Sequence, residues 1–147
     1  MNQDQELRQV GESVFARIRE AFPALIANVD SKHPHVQINV SIPEQPGLAF
    51  QVDLNLQGDE LHLSAGAFWL EWFPCTNAAV REAYFEAVSG LLSGQLRILE
   101  TLSGKRPVRA ELQRPSAEGW QTLGTTHIGW AFPWRKTTRV IQNTQPL

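Results

Sequence analysis

Val52-Asp53-Leu54-Asn55-Leu56-Gln57-Gly58-Asp59-Glu60-Leu61-His62-Leu63-Ser64-Ala65 is the stretch that decides the fold. On both sides of Gly58-Asp59 apolar and polar residues alternate, the period-two pattern of a strand with one buried face. Glycine supplies the positive φ that a tight hairpin turn demands. A two-residue loop sets Leu56 against Leu61, Leu54 against Leu63 and Val52 against Ala65. Every apolar side chain then shares one face, and Asn55 opposes His62 on the other. A slip of one residue would turn the whole apolar set to solvent, so the register is well determined.

Working outward, Leu48 and Phe50 extend the first of these strands. Val36, Ile38, Val40 and Ile42 alternate with polar residues as a preceding strand, joined through a turn over residues 43–47. Downstream, Gly66 is expected to kink or bulge the third strand before residues 68–73, and Pro74 closes it. A helix fits the N-terminal segment, where Leu7, Val10, Val14, Ile18 and Leu25 recur at helical spacing with Phe15 and Phe22 beside them. Asp4 is its expected N-cap and Pro23 its stop. Residues 24–29 read as a further turn and residues 30–34 as a loop. A second, long helix is expected from a cap at Thr76 or Asn77, with Val80, Tyr84, Val88, Leu91, Ile98 and Leu102 as its stripe. Gly90 and Gly94 four apart suggest close approach of another element, and Gly104 marks its end. Strands follow at residues 108–112, 120–126 and 128–134, and residues 137–141 are a candidate short edge strand. The order α-β-β-β-α-β-β(-β) defines a single α+β domain over residues 1–147, a mostly antiparallel sheet of five to six strands with two helices.

Composition narrows the class. With 42% hydrophobic and 19% charged residues, the chain reads as globular. One cysteine, Cys75, precludes an internal disulfide and favours a reducing compartment. The polar, acidic N-terminus does not read as a signal peptide, and no apolar run approaches bilayer-spanning length, so a cytoplasmic location without membrane association is expected. Residues 1–104 carry 6 Lys/Arg and 13 Asp/Glu, whereas residues 105–147 carry 7 and 2. Such a split marks either a basic binding surface or two segments that neighbour and cancel; cancellation is the default.

Candidate chemistry is sparse. Cys75 precedes a helix start, where the dipole would lower a thiol pKa, but no local signature surrounds it, and a small buried residue explains it as well. His33-Pro34-His35 lacks an evident third metal ligand. Asp53, Asn55, His62 and Ser64 are expected as polar cross-strand neighbours, which brings a carboxylate and an imidazole within reach; a solvated outer face gives the same pattern. Phosphate-binding, dinucleotide and nucleophile-elbow motifs are absent, and no cofactor or metal is expected.

The aromatic load is the strongest signal. All five tryptophans lie between positions 69 and 134. Trp69, Trp72 and Phe73 close one strand; Trp130, Phe132 and Trp134 occupy another, with Arg135 beside them. Both faces of residues 68–73 carry rings, so one buried face cannot absorb them all. Surplus large rings fill association surfaces or pockets. The expectation is a non-enzymatic interaction domain of the chaperone, adaptor or immunity kind, docking a protein partner or a second copy as a homodimer. The alternative is a small-ligand domain or enzyme with an aromatic-lined pocket between the sheet and the second helix. Cations beside Trp130 and Trp134 raise nucleic acid, against which the acidic overall balance argues.

Overall fold

A computed structural model describes residues 2–130 and 135–144. The order is α1 (Gln3–Ala21), β1 (Asn28–Asp30), β2 (Ile38–Ile42), β3 (Val52–Gln57), β4 (Glu60–Ala65), β5 (Phe68–Trp72), α2 (Ala78–Ser93), β6 (Arg97–Ser103), β7 (Arg106–Ser116), β8 (Gly119–His127) and β9 (Lys136–Gln142). The α+β class, the antiparallel pairing and the two helices match the sequence. The described strands number nine, in two sheets: β1-β2-β3-β4-β5 and β8-β7-β6-β9. The first is a meander. The second is a Greek key, because β9 returns past two strands to lie beside β6.

The β3–β4 hairpin has the register its alternation dictates, with Leu54 opposite Leu63, Leu56 opposite Leu61 and Asn55 opposite His62. Val52, Leu54, Leu56, Leu61, Leu63 and Ala65 are all buried. Gly66 does not kink one long strand. It has φ +55° and forms with Ala67 a turn, so residues 68–72 fold back as a separate strand. A Cβ at Gly66 would lie 2.5 Å from Ile141 Cδ1 and 2.8 Å from Glu100 Oε2, so the tip of this turn needs a glycine to reach the second sheet.

Helix α1 buries Leu7, Val14, Phe15 and Ile18, and Gly11 lets it sit on Leu56 and Ile38. Its N-cap is Asn2, not Asp4: Asn2 and Gln5 exchange side chain-to-backbone bonds as a capping box, leaving Asp4 within the first turn. The helix ends at Ala21 before Pro23, as expected. Residues 28–30, read as turn and loop, pair with β2 as a short edge strand.

The second helix is shorter than its apolar stripe implies. Asn77 caps it, accepting from the Ala79 and Val80 amides, but it stops at Ser93. Gly94 takes φ +81°, and the Leu96 amide donates to Gly90 O at 2.9 Å, turning the chain back. Ile98 and Leu102 therefore belong to β6. A spacing of four repeats in a helix and in a strand alike, which is why they extended the stripe. Gly90 does permit close approach, of Leu96.

The sheets meet at the free edge of β5. The Ala67 amide donates to buried Glu100 at 2.6 Å, and the Trp69 amide donates to Thr126 Oγ1 at 2.9 Å. Side chains of β6 and β8 thus satisfy an edge that would otherwise invite another strand. Glu100 also accepts from Arg139 Nε at 2.8 Å. Buried Asn143 ties the end of β9 back, donating to Gly47 O and Leu92 O. No helix among the described residues is long and apolar enough to cross a membrane.

Candidate interaction surface

The tryptophans separate by environment. Trp69 lies on the face of the first sheet opposite the helices and is 50% exposed; Phe73, just beyond β5, is 57% exposed; Trp120 is 37% and Trp130 69% exposed. Trp72 is different. It faces the helices, packs edge-on against buried Tyr84 with ring centroids 5.4 Å apart, and lies half-buried at the edge of the core. Both faces of β5 carry rings, as its sequence indicated; the outward Trp69 is largely exposed, whereas the inward Trp72 is half-buried against the core.

Trp69 lies nearly parallel to His62 at 5.7 Å and donates its indole N–H to His62 Nδ1 at 2.9 Å. Nε2 of the same imidazole lies 3.0 Å from Glu60 Oε1. An indole N–H can only donate, so Nδ1 accepts and Nε2 carries the proton toward Glu60. His62 is buried although it sits on the polar face, because Trp69 covers it. The carboxylate partner is Glu60 rather than Asp53; the Asp53 carboxylate accepts from Gln51 instead. With its ring shielded and both nitrogens engaged, His62 is held as a support for Trp69 rather than offered to a substrate.

Trp130 is not in a strand. Strand β8 ends at His127, and Ile128 and Gly129 curl back with both amides donating to Val108 O. Trp130 and Arg135 both lie at the tip of the β6–β7 hairpin: Arg106 donates to Trp130 O at 3.1 Å, and the Gly104 amide donates to Arg135 O at 3.2 Å. Arg135 is exposed, while Phe132 and Trp134 lie outside the described residues. The expected strand over residues 128–134 is therefore a crossover at its start. It comes close to Trp69, since Thr126, bonded to the Trp69 backbone, stands two residues before exposed Ile128. Trp120 sits at the far end of β8, its ring beneath the Arg97 guanidinium at 4.0 Å.

The other candidates resolve structurally. Cys75 is fully buried; burial, with the Asp59 carboxylate adding to it, pushes its thiol pKa up, opposite to the dipole expectation. Its amide donates to Asp59 O at 2.8 Å, holding the chain beneath the β3–β4 turn. His33 and His35 meet edge to face at 5.8 Å, and no group of three His, Cys, Asp or Glu suited to a metal occurs among the described residues. A groove of about 410 Å³ runs between α2 and the second sheet, with Trp72, Leu96, Leu112 and Leu123 in its lining. Comparison with family models, with curated proteins and with solved structures gives no match for this chain.

Proposed function

We propose that this chain is a protein-interaction domain of the chaperone, adaptor or immunity kind rather than an enzyme. It docks a protein partner or a second copy through the exposed rings on β5, just after it and just after β8. The exposure of Trp69, Phe73 and Trp130 carries the reading, since large flat side chains bury much area at little entropic cost. Trp69 suits this role further because His62 fixes its ring in advance of any contact. A second reading has one observation in its favour. The groove beside α2 combines an apolar lining with exposed Glu86 and Arg114, which suits a small amphipathic molecule.

One comparison separates the two. Light scattering across a wide concentration range, with photo-crosslinking from position 73, is expected to detect self-association or one defined partner. Phe73→Ser with Trp130→Ser should abolish either while leaving the melting temperature near that of the wild type. Unchanged association in this variant removes the docking reading. A monomer that captures nothing, yet is stabilised by a small molecule whose effect Leu123→Trp blocks, establishes the groove instead.

A further inference from the structure

We infer that the end of the second sheet carrying Lys105, Arg106, Arg135 and Lys136 around Trp130 receives an acidic protein segment. The inference rests on the docking reading above and supplies the chemistry of the partner. Residues 97–142, which build this sheet, hold eight of the thirteen Lys/Arg and three of the fifteen Asp/Glu. Among the described residues every ion pair stays on one side of the junction between the sheets. Arg8–Glu12 and Arg17–Glu82 lie on the side of the helices and first sheet, and Arg109–Glu111 and Arg139–Glu100 lie in the second. Of the acidic excess in residues 1–104, only Glu100 pairs with a cation of residues 105–147 among the described residues, so pairing leaves most of the charge split uncancelled.

The topology concentrates the remainder. Ser103 stands opposite Arg106 on one side and Lys136 on the other. The bonds from Gly104 to Arg135 O and from Arg106 to Trp130 O bring Arg135 and Trp130 to the same tip. All four cations are exposed, and none has a carboxylate within ion-pair distance among the described residues. The acidic residues of this sheet lie elsewhere: Glu100 is buried under Arg139, Glu111 sits mid-strand beside Arg109, and Glu118 is in the turn at the opposite end of β7. Four exposed cations at one end of a sheet, without a carboxylate partner among the described residues, attract carboxylates, and exposed Trp130, whose carbonyl accepts from Arg106, adds apolar surface nearby.

The pattern favours a protein segment over nucleic acid. A four-stranded sheet is about 14 Å across, from three strand spacings of about 4.8 Å. A nucleic-acid platform needs a basic groove that follows many phosphates. The rest of the molecule opposes a long polyanion, since residues 1–104 carry seven more acidic than basic groups. A short run of Asp and Glu with apolar neighbours satisfies both the cations and the ring.

The test is fluorescence anisotropy with the full chain and a labelled short peptide of Asp, Glu and Leu, beside its Asn/Gln counterpart. Saturable binding of the acidic peptide alone, weakening with salt, is expected. Lys105→Glu with Arg106→Glu, and Arg135→Glu with Lys136→Glu, should each weaken it by about tenfold or more. Arg19→Glu with Lys32→Glu, exposed cations of the other half, should not. Equal binding of the neutral peptide, equal loss in the Arg19/Lys32 control, no binding at all, or tighter binding of a single-stranded oligonucleotide each overturns the inference. If affinity survives both charge reversals but disappears with Trp130→Ser, the acidic partner is wrong while docking through the rings stands.

Discussion

At the scale of the residue, Cys75 shows how position and environment part company. A thiol just ahead of a helix N-terminus invites activation by the dipole, but full burial and the nearby Asp59 carboxylate disfavour the thiolate more strongly. Because the folded pKa stands above the unfolded one, the folded state holds this proton more tightly. The stability it contributes is complete below the pKa of an unfolded cysteine, about 8.5, and falls as pH rises through the higher folded value. Thiol-reagent labelling of the native chain at neutral pH should therefore be much slower than in denaturant, and Cys75→Ala should lessen the loss of stability above about pH 9. Rapid native labelling would mean an open, activated thiol. His62 is the complementary case: the sequence placed it opposite Asn55 on the polar face, and nothing local indicated that Trp69, seven residues on, would cover it.

At the scale of the element, glycines set the boundaries that hydrophobic periodicity missed. Gly94 ends α2 in the left-handed region, and a Cβ there would lie 2.3 Å from Asn143 O. Gly58 has a similar φ of +59° with nothing within 4 Å of the added carbon. Gly58→Ala should cost the backbone strain alone, about 1 kcal/mol. Gly94→Ala should cost clearly more, since the backbone of Asn143 must move as well. Denaturant unfolding of both variants checks this, and equal losses would exclude the clash. The hairpin was legible because alternation and turn length fix register together. The extent of α2 was not, because Ile98 and Leu102 satisfy helical and strand spacing equally and only a bond from Leu96 to Gly90 O decides between them.

At the scale of the molecule, the sheets are joined by side chains. Glu100 is 1% exposed in its side chain and its partner Arg139 57%. Removing Arg139 leaves a buried carboxylate without its cation, whereas Glu100→Gln frees an arginine that can turn into water and keeps an acceptor for Ala67. Arg139→Ala should therefore destabilise more than Glu100→Gln, by about 3 kcal/mol against about 1–2. The reverse order in denaturant unfolding would show that the junction rests on other contacts.

The α+β class, the β3–β4 register, the start of α2 and the surplus of rings over buried places were all legible in the sequence. Each follows from local periodicity, a cap or a count, and none requires knowing what lies far along the chain. Contacts between distant segments set the division of the strands into two sheets and pack Trp72 against the core while Trp69 and Trp130 stay exposed. They also bring Lys105, Arg106, Arg135 and Lys136 to one end of the second sheet. Those outcomes depend on partners tens of residues apart, Ala67 with Glu100 and Gly104 with Arg135 among them, whose bonds leave no periodic trace in the sequence.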